Sequence, residues 1–301
     1  MNSGGTSEEF SPKPLPGNAL IYYYLAGAPA EPVKLDILDA RDAVVRSFTS
    51  DSALAAKDGE SPIPAETGMN RVTWNVTYRG PKPVEGTVLW GYGGGVKAPP
   101  GTYQARLTVD GQAQVRSFEV LNDPRLSDVT QADYEEQFRL ASAIRDTLNH
   151  IYDAIRTARS VRVQVTTTAE RAREAGYGEE LKSGADSIAA DLTEVEEDLT
   201  QTRNKSDQDP IRFPPMLDNQ FVSLYEYVTS VDEYRYGGAE GRPTGGAYEL
   251  FGALNTRWSE IRARLDRILN ADVARFNADL ERLGVPAILV PAGGVTGRLV
   301  P

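Results

Sequence analysis

In the first third of the chain, apolar and polar residues alternate with a period of two. Ile21, Tyr23 and Leu25 alternate with Tyr22 and Tyr24, and similar runs recur up to about residue 123. Such runs, separated by turns rich in Asp, Gly and Pro, are typical of short antiparallel strands with one buried face. About seven of them in roughly 100 residues predict a small β-sandwich. The later runs cover residues 33–37, 72–78, 103–109 and 118–120.

Two of the segments between these runs have identifiable turn chemistry. Asp110-Gly111 predicts a type I′ hairpin, because that turn needs positive φ at both central residues. Residues 80–97 contain Trp90, Tyr92 and a glycine triplet at 93–95. The triplet matches no phosphate-binding motif, and we interpret this segment as a loop whose glycines form a flexible hairpin tip.

From Pro124 the apolar spacing changes to about 3.5 residues, which is typical of an amphipathic helix. Residues 130–133 fit the capping signature of a helix start. We expect the polar residues at 166–168 and the glycines around 176–178 to break or bend this first helix. Its apolar face comprises Tyr134, Phe138, Ala141, Ile144, Leu148, Ile151 and Ile155.

Three more apolar faces follow, separated by prolines at 210, 214 and 215 and by a glycine-rich loop at 237–246. An isolated helix cannot bury its own apolar face, so four amphipathic helices are expected to pack against one another. The sequence therefore predicts an antiparallel four-helix bundle. The second face comprises Leu181, Ala185, Ile188, Leu192, Val195 and Leu199. The third comprises Leu217, Phe221, Leu224, Val228 and Val231, and the fourth extends from Phe251 to Leu283.

The pattern as a whole predicts an α+β chain with two domains. A flexible arm or linker at residues 1–18 precedes the β-sandwich at 19–123, and the helical bundle occupies 124–290. A tail follows at 291–301. The apolar residues after 285, rich in Gly and Pro, either pack as an extended strap or stay loose.

Composition and charge narrow the classes of function. Of 301 residues none is cysteine and one is histidine, which excludes disulfides, thiol nucleophiles and metal sites of cysteines or paired histidines. The net charge of −11 disfavours nonspecific binding to nucleic acid or anionic lipid. The chain contains no run of about 18 apolar residues, so the sequence predicts no helix inserted in a membrane. The first residues lack the features of a signal peptide, so we expect no secretory signal in this chain.

The sequence predicts no catalytic residues, no metal site and no cofactor. The densest acidic cluster comprises Glu194, Glu196, Glu197 and Asp198. Val195 lies within this cluster and Leu199 follows it, and both belong to the apolar helix face. We therefore expect the four carboxylates to point into solvent rather than to face each other as glycoside hydrolysis requires. His150 lies off the main helical seam, and no nucleophile elbow accompanies it, so we interpret it as an exposed or boundary residue.

Aromatic side chains are the remaining candidates for a binding site. Trp90 and Tyr92, predicted to be exposed on their loop, and Tyr78 are the first candidates for stacking on a sugar ring or packing on a partner. Trp74 lies in an alternating strand and Trp258 on a helical seam, so we expect both in hydrophobic cores.

The three consecutive tyrosines at 22–24 place aromatic rings on both faces of one strand. One of these faces is expected in the core. The other is expected to be half covered, by the helices or by another domain.

Several segments of the predicted sandwich resemble the immunoglobulin-like domain named after the flagellar hook-cap protein. Residues 33–40 and 44–48 resemble its opening hairpin. Residues 68–75, GMNRVTWN, are similar to its G-x-N-x-x-x-W-D strand, with Asn75 at the usual Asp. Residues 98–107, APPGTYQARL, match its P-x-G-x-Y strand. The resemblance implies an immunoglobulin-like β-sandwich.

The order of segments is similar to the C-terminal region of bacterial secreted proteins with sialidase-like (BNR) or sortilin-like propeller repeats. Residues 19–25 and 120–126 flank the sandwich as in those proteins, and residues 251–254 and 272–277 resemble their last helix. The resemblance covers nearly all of residues 19–290. Many of these proteins are labelled glycosyl hydrolases, and the resemblance implies an extracytoplasmic location.

The propeller itself is missing from this chain, because the Asp-box turns S-x-D-x-G-x-x-W that mark it do not occur. The resemblance therefore transfers no catalytic residue, and we expect a fragment or a separately encoded module. It implies a non-catalytic accessory module whose partner is a propeller domain of the same chain or of a partner chain. A carbohydrate-binding domain is the first alternative, with a glycan or cell-surface protein as partner. A glycoside hydrolase with carboxylates between sandwich and bundle is the second.

Overall fold

The computed structural model describes residues 17–91, 93–177, 179–229 and 240–291. They form a mixed α+β fold of antiparallel sheets and helices, which confirms the predicted class at this level. The chain divides into two compact units. The β unit contains the described residues up to Arg79 together with Lys97–Ser127. The helical unit contains Gly80–Val96 and the described residues from Asp128 onwards.

The described residues of the β unit form six strands in two antiparallel sheets. One sheet pairs β1 with β4, and the other has the order β3-β2-β5-β6. A short helix, α1 (Ser52–Lys57), follows β3 and is capped by the Asp51 side chain. The strands are β1 (Ala19–Leu25), β2 (Lys34–Leu38), β3 (Val44–Thr49), β4 (Gly68–Trp74), β5 (Gly101–Val109) and β6 (Gln112–Val120).

The turn between β5 and β6 has the predicted type I′ geometry. Asp110 and Gly111 have φ of 48° and 76°, so both central residues are in the left-handed region that this turn requires. The strand predicted at 72–78 begins and ends earlier in the chain, at Gly68 and Trp74. It ends at Trp74, because Val76 adopts a φ of 55° that a continuing strand cannot have.

Both sheets contribute side chains to one hydrophobic core. Trp74 is fully buried, as predicted, and its ring lies 5.4 Å from Tyr103 and 6.0 Å from Phe118, centroid to centroid. Asp36 alternates with the core residues Leu35 and Ile37, so it lies on the opposite face of β2, where it is 1% exposed and Arg106 pairs with it at 2.7 Å. Burial alone raises the pKa of Asp36, but hydrogen bonds from Ser47, Arg106 and Lys34 hold it below its ordinary value.

The helical unit begins with a single helix of 44 residues, α2 (Gln131–Glu174). Thr130 and Asp133 form the predicted capping box at its start. The threonines at 166–168 do not break it, since the Thr166 hydroxyl bonds back to the Arg162 carbonyl at 3.0 Å and the helix continues. The helix ends just before Gly176, which has a φ of 90°.

Four further helices follow, and a π-helical turn at Ile268–Asp272 joins the last two. Their apolar faces match the predicted seams except at the end of the fourth, where Leu283 is 36% exposed, and Trp258 is buried as predicted. Residue 231, assigned to the third seam, and residues 237–239 of the predicted loop lie outside the described residues. The helices are α3 (Glu179–Leu199), α4 (Leu217–Thr229), α5 (Gly245–Arg267) and α6 (Val273–Arg282).

The segment Gly80–Val96 packs within the helical unit instead of forming a flexible hairpin tip of the β domain. Its backbone is bound by helical side chains: Arg156 donates to the Lys82 carbonyl at 2.7 Å, and the Tyr225 hydroxyl to the Gly94 carbonyl at 2.8 Å. A Cβ on Gly80 would lie 2.3 Å from the Gly94 carbonyl oxygen, so a glycine is required at that close approach.

The acidic cluster on α3 is not wholly solvent-facing, and the expectation is wrong for Glu196. That residue is 4% exposed, and its carboxylate binds Arg159 at 2.7 Å and Arg162 at 2.6 Å, both on α2. Glu194 and Glu197 are exposed as expected. Periodicity could not reveal the inward position, because the two arginines that offset the desolvation of Glu196 come from a different helix.

After α6 the chain continues as an extended strap, one of the two expected outcomes. Ile288 is buried, and its backbone N–H and carbonyl bind the Asn277 side chain at 2.7 and 3.1 Å. Leu289 binds the Gln164 side chain on α2 through its backbone. The predicted tail beyond residue 291 lies outside the described residues.

Candidate functional site

The outer face of the β1–β4 sheet is apolar and open to solvent. Side chains of a strand alternate between faces, so the burial of Tyr23 forces its two neighbours outward. Tyr22 is 58% exposed and Tyr24 is 67% exposed, and they stand on the same face of β1. The strand register places Tyr24 opposite Met69, which is 70% exposed, and Tyr22 opposite Arg71. We call Leu20, Tyr22, Tyr24 and Met69 the tyrosine face.

A groove of about 720 Å³ adjoins this face within the β unit. Tyr22 and Tyr24 line it together with core-facing residues of β5, including Ala105, Leu107 and Val109. These β5 side chains pack against the core but are only partly buried. Among the described strands, β1 pairs with β4 alone. The backbone N–H and C=O groups along its other edge are therefore not hydrogen-bonded to any of the described strands.

The rim of the groove is polar. Asp110 accepts the backbone N–H groups of Ala30 and Glu31, each at 2.9 Å. It is the one carboxylate among the described residues that line the groove, and Arg116 lies there with Gln112 and Gln114. A hydrolytic pair of facing carboxylates is therefore not present among the described lining residues of this groove.

The three aromatic residues predicted as a binding site have different surroundings. Trp90, in the helical unit, is half-buried, and its indole N–H donates to the Asp207 carbonyl at 2.6 Å. Tyr78 is half-buried against the β core. The pKa of Tyr103 is raised, mainly by burial and to a smaller extent by the neighbouring Tyr78. Tyr92 lies outside the described residues. The expectation of an exposed Trp90 is wrong, because its loop packs against helices.

The sequence did contain a signal for the tyrosine face. Three consecutive tyrosines indicate that one strand carries aromatic rings on both faces. Periodicity does not specify which of those faces another element covers, because the covering element is distant in sequence. Met69 completes the face, and only the register between β1 and β4 brings it to Tyr24.

The other candidates for chemistry are a single histidine, an acidic pair and clusters of metal-binding side chains. His150 is half-buried on α2, which agrees with a boundary position. Asp232 and Glu233, an acidic pair near a predicted helix end that we interpret as facing solvent, lie outside the described residues. Within the part of the chain that the structure describes, no three His, Asp or Glu side chains gather into a potential metal cluster. None of the described helices has the length and apolar character needed to cross a membrane.

Comparisons with known proteins return no relatives. The chain matches no protein-family model, and no curated protein or solved structure is significantly similar to it.

Proposed function

We propose that this chain is a non-catalytic interaction module that docks onto a propeller-repeat domain of a secreted protein through the tyrosine face and the adjoining groove. The proposal includes the finer fold: an immunoglobulin-like sandwich in the β unit and an antiparallel four-helix bundle in the helical unit. The segments that resemble sialidase-like and sortilin-like propeller proteins motivate the choice of partner.

The observation that carries the proposal is the exposure of four large apolar side chains on one small sheet. Tyr22, Tyr24 and Met69 each expose more than half of their surface, and Leu20 exposes 47%. Scattered apolar residues are normal on protein surfaces, but a contiguous group next to a groove is typical of an interaction site. Tyrosine is also enriched among residues that dominate binding energy at interfaces.

The geometry of β1 fits a partner built from sheets. The free edge of β1 can extend its sheet with a strand of the partner, as in β-strand addition. The blades of a propeller are four-stranded sheets, and a short edge remains at the outermost strand of each blade. The half-covered residues Ala105, Leu107 and Val109 would then be buried by side chains of the added strand.

A photo-crosslinking experiment tests this partner directly. A benzophenone amino acid replaces Tyr24 in the chain expressed in its native cells, and crosslinked peptides are identified by mass spectrometry. We expect crosslinks to a sequence with repeated Asp-box turns, in the same or another polypeptide. The matched control replaces Val115, which is 40% exposed on β6 and pairs with Arg106 on the outward face of the other sheet.

The result depends on the contrast between these two positions. Crosslinks from position 115 should be at least tenfold fewer than those from position 24. Equal crosslinking at both positions, or crosslinks from position 24 only to proteins without propeller repeats, would refute the proposed partner.

A glycan-binding function is the second candidate, and the same tyrosines favour it. Tyr22 and Tyr24 are two residues apart on one strand, roughly 7 Å along its axis, so their rings offer a platform for sugar stacking. Affinity electrophoresis in soluble polysaccharides tests this function. Retardation by a polysaccharide should disappear in the double variant Tyr22→Ser/Tyr24→Ser and persist in Tyr177→Ser. An unretarded wild-type chain excludes this candidate for the polysaccharides used.

A further inference from the structure

The two sheets of the β unit differ in width. One contains four of the described strands and the other contains two, and neighbouring strands lie about 4.8 Å apart. The groove of about 720 Å³ lies where the inner face of the wider sheet is not covered. No described residue of β4 lines it, so it lies on the β1 side of the narrower sheet. Residues 21–25 of β1 form one wall, which gives room for a segment of about five residues beside them.

The free edge of β1 has none of the features that usually prevent pairing with another strand. Exposed edges are commonly protected by charged side chains, prolines or β-bulges. The sequence of β1, ALIYYYL, contains no charged residue and no proline, and its pairing with β4 has no register shift. The edge strand β6, by contrast, contains Arg116 and Glu119, and the edge strand β3 pairs through a bulge. The edge of β1 is therefore suited to accept a further strand.

The floor of the groove has a row of apolar side chains beside a row of polar ones. Side chains directly opposite each other in a strand pair share one face of the sheet. Further along β6 the same face is apolar and packs against the core, so it changes from apolar to polar at the groove. The pairs between β5 and β6 that line the groove are Ala105–Arg116, Leu107–Gln114 and Val109–Gln112.

Arg116 provides a positive charge at one end of this floor. Its side chain is exposed and donates to the Val115 carbonyl at 3.0 Å, and it forms an ion pair with none of the described residues. The Asp110 carboxylate lies at the hairpin turn, four pairs along the chain from Ala105, where it accepts two backbone N–H groups. The other N–H groups of Arg116 are therefore available to a carboxylate that a ligand brings.

We propose that the groove accepts one extended strand of the partner, in which two apolar side chains and then a carboxylate face inward at alternate positions. The proposal rests on the docking proposed above and names the segment that docks. The apolar side chains would cover Val109 and Leu107, and the Asp or Glu would reach Arg116. Backbone hydrogen bonds to β1 would supply affinity, and the alternate side chains would supply specificity. A second copy of the chain that paired through its own β1 would bring no carboxylate.

Capped synthetic peptides test this pattern on the full-length chain. The peptide TVTVTET has the proposed order of inward residues, and TETVTVT has the same order in the opposite chain direction. Binding is followed by ¹H–¹⁵N NMR of the backbone amides of β1 and β5. We expect saturable shifts with one of the two peptides, and binding at least tenfold weaker when Lys replaces its Glu.

An exchange of charges identifies the contact. Arg116→Glu should weaken binding of the Glu peptide at least tenfold and should strengthen binding of the Lys peptide. Because Arg116 is exposed on an edge strand, its replacement should leave the fold intact. Arg71→Glu, at an exposed position opposite Tyr22 on the outer face of the other sheet, is the matched control and should leave both affinities unchanged.

Methylation of the peptide backbone tests the pairing with β1. The N–H groups of alternate residues in a strand point to the same edge. Methylating the set that faces β1 should abolish binding, and methylating the other set should not. The proposal is overturned if no peptide causes a saturable shift up to about 1 mM. It is also overturned if the Lys peptide binds as tightly as the Glu peptide, or if both methylated peptides bind as the parent peptide does.

The crosslinking experiment at position 24 separates this proposal from the propeller partner. Crosslinks to a propeller without binding of any peptide would overturn the strand proposal and leave the propeller partner in place. Peptide binding of the expected kind without crosslinks to a propeller would support the strand site and refute the propeller.

Discussion

At the scale of single residues, Asp218 has the most unusual surroundings. It lies in the first turn of α4 with no solvent exposure, and its Oδ1 accepts the Asn219 backbone N–H at 2.7 Å. Burial raises the pKa of Asp218 to about 7, against the nearby Thr200 side chain and the backbone hydrogen bond from Asn219, which lower it. The pKa of Tyr152 on α2 is also raised, mainly by burial and then by the charge on Asp218.

This pKa makes the stability of the helical unit depend on pH. Between about pH 4 and pH 7 the folded chain keeps a proton on Asp218 that the unfolded chain releases, so rising pH favours unfolding. Asp218→Asn removes the titration. We expect its stability advantage over the wild type to grow by about 2–3 kcal/mol between pH 5 and pH 8.

Urea unfolding of both chains at the two pH values measures this difference. The exposed residue Asp207 gives the control, because Asp207→Asn should shift the unfolding midpoint by the same small amount at each pH. A constant difference between Asp218→Asn and the wild type would show that Asp218 is ionised in the folded state throughout this range.

At the scale of elements, an ion-pair network joins α2 to α3. The Glu196 side chain is 6% exposed and receives Arg159 and Arg162, which are 32% and 28% exposed. Arg162 also donates to the Thr193 hydroxyl at 3.1 Å. Removing one member of a buried network leaves the others partly desolvated and unpaired, so its loss costs more than the loss of a surface pair.

Glu196→Gln should therefore lower the free energy of unfolding by about 1–3 kcal/mol. The loss is moderate because both arginines retain access to water. Glu197→Gln changes the neighbouring exposed residue of the same helix, and its effect should stay within about 0.5 kcal/mol. Urea midpoints at fixed pH compare the two, and equal effects would contradict a special role for Glu196.

At the scale of the whole molecule, the two units are not consecutive in sequence. The helical unit includes Gly80–Val96, although β-unit strands precede and follow this segment. The contacts that bind it come from far along the chain, since Tyr225 and Gly94 are 131 positions apart. Val84 and Val96 are buried, so the segment contributes apolar surface to its unit as well as backbone hydrogen bonds.

The segment should consequently unfold with the helices. Leu192→Ala creates a cavity in the helical core and Leu35→Ala one in the β core, each at a fully buried leucine. We expect faster hydrogen exchange in peptides from residues 80–96 for Leu192→Ala and unchanged exchange for Leu35→Ala. The reverse result, measured by mass spectrometry, would assign the segment to the β unit.

Much of the fold was predictable because it depends on neighbours in sequence. The capping box at Thr130 and Asp133, the positive φ of Asp110 and Gly111, and the seams around Trp258 follow from short-range chemistry and periodicity. The candidate site was predictable only in part. The tyrosine triplet indicated aromatic rings on both faces of one strand, with the second face expected to be half covered, whereas loop position alone led to the expectation of an exposed Trp90.

The sequence by itself determined which residues form strands and helices and which side of each element is apolar, because these properties arise within a few residues. Only the tertiary structure decided what covers each side. It placed residues 80–96 among the helices, buried Glu196 between two arginines, and left Tyr22 and Tyr24 exposed. Each of these outcomes depends on contacts between residues distant in sequence. Hydrophobic periodicity shows which side of an element is apolar but not which other element will pack against it.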